Sequence, residues 1–183
     1  MIGSAWNRFL IIQTHIISGD TEEATDLVSD FLISFGKSEY NSVGEIYLWL
    51  GENDSAKFYL ESAVQSEFSE MSIPRWQSNL ALSYNTTGDT EQAQSIIDKL
   101  IMTSDTSTIG SPAFFIGLYY SGIGEIDAAF YWLEKAYNNR SIEMPWLKVN
   151  PSFNNLKDDD RYWDLYERTG HKAYDEYMAS ENK

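Results

Sequence analysis

The side chains that most often carry out catalysis are scarce in this chain of 183 residues, which contains two histidines and no cysteine. His15 and His171 stand near opposite ends of the sequence, so a zinc site or a serine–histidine triad would need further groups to meet them from a distance. Without cysteine, disulfides, thiolate metal sites and thiol nucleophiles are excluded. The phosphate-binding glycine loops, the nucleophile elbow and the zinc-protease helix motif are also missing. We expect a protein that is not an enzyme and has no catalytic residue, cofactor or metal.

Three consecutive aspartates, residues 158–160, form a carboxylate cluster that resembles a cation site at first sight. Calcium loops place their ligands at alternate positions around a glycine turn, whereas adjacent side chains at the start of a helix point in different directions. Carboxylates in a first helical turn also complement the helix dipole. We therefore expect Asp158 to cap a helix whose first turn contains Asp159 and Asp160.

The charge of the chain limits the class of partner. Its 28 acidic and 13 basic residues give a net charge of −15. Nucleic acids and anionic membrane surfaces both favour basic proteins, so we expect no direct nucleic-acid partner and no membrane insertion. Residues 1–120 hold 16 acidic and 5 basic groups. This acidic surface either keeps the protein soluble or steers a basic partner toward the N-terminal part of the chain.

The N-terminal residues show no basic leader followed by a long apolar stretch and a small-residue cleavage site. The longest apolar run, residues 113–120, is less than half the length of a membrane span. These features predict a cytoplasmic protein if the sequence is full length. A fragment of a membrane-anchored regulator would be compatible with the periplasm.

An internal sequence repeat predicts the helices that would position any site. Four glycines are each followed five residues later by alanine, and the glycines are 32, 37 and 36 residues apart, which is the period of helix–turn–helix repeats. Each glycine is typical of a left-handed residue that ends a first helix, and the alanine lies on the inner face of a second helix. The glycine–alanine pairs are Gly19 and Ala24, Gly51 and Ala56, Gly88 and Ala93, and Gly124 and Ala129.

Small residues precede three of the turn glycines by seven positions, where they would let the two helices of a hairpin approach closely. They are Gly44, Ala81 and Gly117, whereas the first hairpin has Ile12 at this position.

This pattern resembles the tetratricopeptide repeat (TPR), in which a small residue, an aromatic residue, a glycine and an alanine recur at these spacings. The resemblance covers about residues 5–140 and implies an all-α fold, a right-handed TPR-like superhelix of about four helix–turn–helix repeats with a C-terminal capping helix. It predicts one domain over residues 1–183, with repeats at about 5–35, 39–70, 74–105 and 111–140. The predicted helices cover about residues 5–17, 21–35, 39–50, 54–68, 74–86, 90–103, 112–121 and 125–139.

Residues 144–170 depart from the repeat pattern and are expected to cap the array. Pro145 and Pro151 end the preceding helix, and Phe153 and Leu156 can then cover the last apolar face, which a solenoid must bury. The segment is similar to the string that closes the TPR array of bacterial winged-helix regulators and nucleotide cyclases, although Asn150 replaces its usual aspartate. Residues 171–183 remain as a tail. The matching residues are Trp146, Leu147, Lys148, Pro151, Phe153, Asn154, Leu156, Lys157, Asp159, Arg161 and Tyr162.

The resemblance also implies a candidate binding groove, because the first helices of TPR repeats line a concave face. Its inward positions lie ten, six and three residues before each turn glycine. Amide and aromatic side chains there suit an extended peptide, and Glu45, one turn before Trp49, would favour a basic group of that peptide. The other interpretation, that neighbouring repeats or the tail cover these positions, stays open. The candidate groove residues are Gln13, Asn41, Glu45, Trp49, Ser78, Leu82, Asn85, Phe114 and Leu118.

The resemblance implies a non-enzymatic module that binds a peptide or a partner domain in this groove, and the steering interpretation makes that partner basic. The alternative is a sensory or regulatory TPR domain of a bacterial signalling or transcription-regulatory protein.

Overall fold

The computed structural model describes residues 4–65, 74–106 and 111–181, and in these ranges the chain forms ten α-helices, three short 3₁₀ helices and no strand. The predicted all-α class is confirmed. None of the helices described is both long and apolar enough to cross a bilayer. The α-helices are α1 (Ala5–Ser18), α2 (Thr21–Phe35), α3 (Tyr40–Leu50), α4 (Asn53–Val64), α5 (Pro74–Thr86), α6 (Thr90–Thr106), α7 (Ser111–Gly122), α8 (Ile126–Asn138), α9 (Asp160–Arg168) and α10 (His171–Glu181), and the 3₁₀ helices are Gly36–Glu39, Met144–Leu147 and Pro151–Leu156.

The eight helices predicted from the repeat pattern correspond to α1–α8, and most of their ends agree within one or two residues. The end of α4 is Val64, four residues earlier than predicted, and the end of α6 is Thr106, three residues later. The segments 66–73 and 107–110, which connect predicted repeats, lie outside the described residues. The chain divides into two compact units, Met1–Ile97 (unit 1) and Asp98–Lys183 (unit 2), with the boundary inside α6.

The turns after α1, α3, α5 and α7 share one backbone geometry. Their glycines have φ angles between +78° and +93°, the left-handed region that glycine enters without the steric cost of a Cβ atom. At each turn the residue after the glycine donates its N–H to the carbonyl five residues earlier, over 2.8–2.9 Å, which closes the preceding helix as a Schellman motif. The predicted role of these glycines is confirmed at Gly19, Gly51, Gly88 and Gly124.

The interior of the hairpins is as tight as the small residues predict. The four alanines of the pattern are fully buried. A Cβ atom added to Gly44 would lie 2.4 Å from Cγ of Leu60 on α4, and one added to Gly117 would lie 3.0 Å from Cγ of Leu133 on α8. Interiors packed at this density accommodate no further methyl group without movement, so the closest approach of α3 to α4, and of α7 to α8, depends on glycine.

In unit 1, each helical pair is covered by the helix that follows it. Helix α3 packs on α1 and α2, and α5 packs on α3 and α4. The core between α1, α2 and α3 is built from buried apolar side chains of all three helices. Its fully buried members include Phe9, Ile12, Ala24, Val28, Phe31, Val43 and Ile46.

In unit 2, the 3₁₀ helix Pro151–Leu156 packs on α7, and α9 packs on α8. Phe153 and Leu156 are fully buried, with the ring of Phe153 5.4 Å from that of Phe114. Both side chains are therefore buried as expected, and Phe153 covers part of α7. Three polar pairs, each separated by 34 residues, fix the register of this packing: Ser121 with Asn155, Asp127 with Arg161, and Glu134 with Arg168.

The C-terminal part differs from the prediction in two respects. Asp159, rather than Asp158, caps the last predicted helix, because its carboxylate accepts the backbone N–H of Arg161 at 2.9 Å. Hydrogen bonds from Arg161 lower the pKa of Asp159 to about 2. Residues 171–181, predicted as a tail, form α10, which docks on α9 where the Tyr166 hydroxyl donates to Asp175.

We predict that Gly44→Ala lowers the free energy of unfolding by about 1–3 kcal/mol, the usual cost of overpacking a close contact. The gain of roughly 1 kcal/mol in helix propensity from alanine does not offset a Cβ atom placed 2.4 Å from Leu60. Gly117→Ala is the matched variant and should lose less, because its Cβ meets Leu133 at 3.0 Å. Urea unfolding followed by circular dichroism measures both. A Gly44→Ala protein as stable as the wild type would contradict the close approach of α3 and α4.

Candidate functional site

Seven of the nine candidate groove residues are buried, and Trp49 and Asn85 are half-buried. This distribution favours the interpretation in which the chain itself covers most of these positions. Seven of the nine lie in unit 1, whereas Phe114 and Leu118 belong to unit 2. The buried ones are Gln13, Asn41, Glu45, Ser78, Leu82, Phe114 and Leu118.

Glu45 of α3 forms a buried ion pair with Arg75 of α5. Its side chain is 1% exposed, and its Oε2 atom accepts a hydrogen bond from Nε of Arg75 at 2.8 Å and lies 2.5 Å from Nη2 of the same guanidinium. Burial raises the pKa of the Glu45 carboxyl above its ordinary value, although Arg75 and the neighbouring Asn79 act in the opposite direction. The basic group that Glu45 was predicted to attract from a ligand is thus supplied by the chain.

The Arg75 guanidinium is also surrounded by aromatic rings. Its central carbon lies 4.6 Å from the ring centroid of Trp76, 5.1 Å from that of Phe9 and 5.9 Å from that of Trp6. Rings at these distances attract a desolvated cation through their quadrupoles. Arginine suits such a position because its planar, weakly hydrated guanidinium stacks on rings while donating to a carboxylate.

An aromatic row runs across α1 and α3 on this side of unit 1. Trp6 stacks on Phe9 at 5.6 Å, and Phe9 lies 5.3 Å from Trp49. Phe9 is buried, whereas Trp6 is 44% exposed. The row therefore has a rigid centre, a half-buried end at Trp49 and an accessible end at Trp6.

The sequence-based prediction missed Trp6 and Arg75, because the inward positions that it considered began ten residues before each turn glycine. Both lie thirteen residues before a glycine, Trp6 before Gly19 and Arg75 before Gly88. Thirteen and ten differ by one helical turn, so both residues continue the same helix face toward the N-terminus. Extending the inward positions by one turn would have found them.

The two histidines lie in different units and have different neighbours. Nδ1 of His15 lies 3.1 Å from Oδ2 of Asp20 at the first turn. His171 stands against the ring of Tyr166, with the ring centroids 4.8 Å apart, and burial lowers its pKa. Within residues 4–65, 74–106 and 111–181, no three histidine, aspartate or glutamate side chains form a group able to hold a metal ion.

No protein-family model and no curated protein matches the chain. The strongest candidate for a functional surface is therefore the one distinguished by its own geometry, the aromatic row of Trp6, Phe9 and Trp49. The ion pair of Glu45 and Arg75 joins α3 to α5 and contacts this row through Arg75, which lies over the rings of Trp6 and Phe9.

We predict that Glu45→Ala lowers the free energy of unfolding by about 3–5 kcal/mol, because it leaves the Arg75 charge buried without its carboxylate. Replacing both partners with apolar residues of similar size, as in Glu45→Leu combined with Arg75→Met, should recover most of that loss. Thermal and urea unfolding of the three proteins give the comparison. A Glu45→Ala protein within about 1 kcal/mol of the wild type would show the small effect typical of a solvent-exposed pair and would contradict this description.

Proposed function

We propose that this chain is a TPR-like helical repeat protein that acts as a non-enzymatic interaction module. It binds a peptide or a partner segment on the exposed aromatic side of α1 and α3. The four turns with one hydrogen-bond pattern and the small residues between paired helices support the TPR-like architecture. Binding, rather than catalysis, fits a surface made of aromatic and aliphatic side chains.

The observation that carries the proposal is the exposure of large apolar side chains on one face of α1, next to the aromatic row. Trp6 is followed one turn later on the same face by the exposed Leu10, and Ile17, two turns after Leu10, is exposed as well. Apolar side chains that are exposed together commonly mark an interaction site. A tryptophan at the edge of such a patch is the type of residue that dominates binding energy in interfaces.

The buried ion pair suits this surface to binding. Arg75 holds Trp6 and Phe9 through cation–π contacts and is itself fixed by Glu45. A ring already held in one orientation loses less entropy when a partner packs on it. The partner then contacts the Trp6 and Trp49 ends of the row, whereas the buried Asn41 and Glu45 are covered by the chain.

A regulatory role in a signalling or transcription-regulatory protein is the second candidate. It is favoured by the segment that resembles the closing string of such arrays. Asn150, which replaces the usual aspartate there, accepts the backbone N–H of Ser152 at 2.9 Å and so begins the 3₁₀ helix Pro151–Leu156. Asparagine and aspartate both provide this cap, so the replacement preserves the local structure.

We predict that Trp6→Ala weakens peptide binding about 30-fold or more, which corresponds to the roughly 2 kcal/mol of an interface hot spot. The probe is a peptide selected from a random display library on the wild-type chain and titrated by fluorescence anisotropy. Phe58→Ala is the matched control, because Phe58 is an exposed aromatic residue of α4 that takes no part in the row. Equal affinity losses in the two variants, or none in Trp6→Ala, would move the binding surface away from α1.

A further inference from the structure

A second surface of unit 1 lies between α1 and α2. It contains a cavity of about 210 Å³ that is lined by Arg8, Ile11 and Ile12 of α1 and by Leu27 and Asp30 of α2. Ile12 forms its fully buried base, whereas Ile11 on its rim is 51% exposed. Every lining residue belongs to these two helices, and none is a candidate groove residue or a member of the aromatic row.

The shape of this surface suits a helix. The α1–α2 pair already receives α3, and the α3–α4 pair receives α5, so paired helices in this unit bind a third helix against them. No other described helix fills the cavity that Ile11, Ile12 and Leu27 line. An amphipathic helix lays its apolar side into such a groove.

The charge around the groove specifies the occupant further. Glu23 and Asp30 lie one helical turn on either side of Leu27, both are exposed, and neither forms an ion pair within the described ranges. The cation of the groove, Arg8, is directed toward its own chain, because it donates to Oγ of Ser34 at 3.0 Å and lies over the ring of Phe35. The carboxylates beside the apolar floor are thus free to pair with cations of a partner.

We propose that the α1–α2 groove docks an amphipathic helix of a partner protein that carries lysine or arginine beside its apolar stripe. A second copy of this chain is a poor occupant because it has a net charge of −15. Its helix α10 would bring the exposed Glu176 and Glu181 toward Glu23 and Asp30, and like charges at an interface oppose association. The proposal concerns a surface separate from the aromatic row and therefore stands or falls independently of the function proposed above.

Two synthetic helical peptides test the charge requirement. They share one leucine stripe, and the positions beside it are lysine in one peptide and glutamate in the other. In fluorescence anisotropy with the whole 183-residue chain, the lysine peptide should bind about tenfold or more tightly than the glutamate peptide, with an affinity that falls as salt is added. Equal binding of the two peptides, or no binding of either, would overturn the proposal.

Variants of exposed residues locate the site without endangering the fold, which circular dichroism verifies. Ile11→Ser should weaken the lysine peptide about tenfold or more, whereas Ile33→Ser, at an 84% exposed position of α2 that does not line the cavity, should not. Asp30→Lys should reverse the preference toward the glutamate peptide. Asp54→Lys makes the same charge change at an exposed position of α4 that does not line the cavity, and should leave the preference unchanged.

The outcomes also separate this surface from its competitors. Binding of the lysine peptide should survive Trp6→Ala, and its loss in that variant would assign the peptide to the aromatic row and overturn the proposal. Analytical ultracentrifugation should show a monomer in both the wild type and Ile11→Ser. A wild-type dimer that Ile11→Ser dissociates would make a second copy the occupant and would equally overturn it.

Discussion

The distance between the two helices of a hairpin is the constraint on which the rest of this structure depends. A glycine with positive φ reverses the chain after the first helix, and a small residue seven positions earlier lets the second helix lie against it. Gly44 and Gly117 bring backbone within reach of Leu60 and Leu133. The first hairpin carries Ile12 at this position, and the cavity between α1 and α2 lies beside that side chain. A bulkier residue holds helices apart, so this change of residue size distinguishes the first hairpin from the two hairpins that close on glycine.

The ion pair of Glu45 and Arg75 affects how α3 aligns with α5. Removing two charges from water costs several kcal/mol for each ion, so an apolar pair would stabilise unit 1 at least as well. An alignment of the two helices that separated Glu45 from Arg75 would leave the Glu45 carboxylate buried without this partner, so the pair disfavours such alignments. The rings of Phe9 and Trp76 reduce the penalty by packing on the faces of the guanidinium. Because Arg75 also contacts Trp6 and Phe9, the Glu45 carboxylate helps to hold these two rings of α1 in place.

Features fixed by local chemistry could be predicted from the sequence, and features fixed by long-range packing could not. The turn glycines, the buried alanines and helices α1–α8 follow from residue types within a few positions of one another. The burial of Glu45 could not be foreseen in this way, because its partner Arg75 lies 30 residues away on another helix. Likewise, the choice of Asp159 over Asp158 as a cap depends on where the 3₁₀ helix before it ends. Helix α10 lacks the glycine–alanine signal and is held instead by contacts such as Tyr166 with Asp175.

The α7–α8 pair of unit 2 and the α1–α2 pair of unit 1 differ in how they are covered by the chain. In unit 2, the pairs of Asp127 with Arg161 and of Glu134 with Arg168 repeat a separation of 34 residues, close to the spacing between turn glycines. The segment 151–168 thus packs on α7 and α8 where a further hairpin would pack, with a 3₁₀ helix in place of a first α-helix. Pro151 begins that 3₁₀ helix, and the helix that follows the segment, α10, packs on α9. In unit 1, no described segment performs this role for the groove of Ile11 and Leu27. Helix α3 thus covers one side of the α1–α2 pair. No described helix covers the side on which the groove of Ile11 and Leu27 lies.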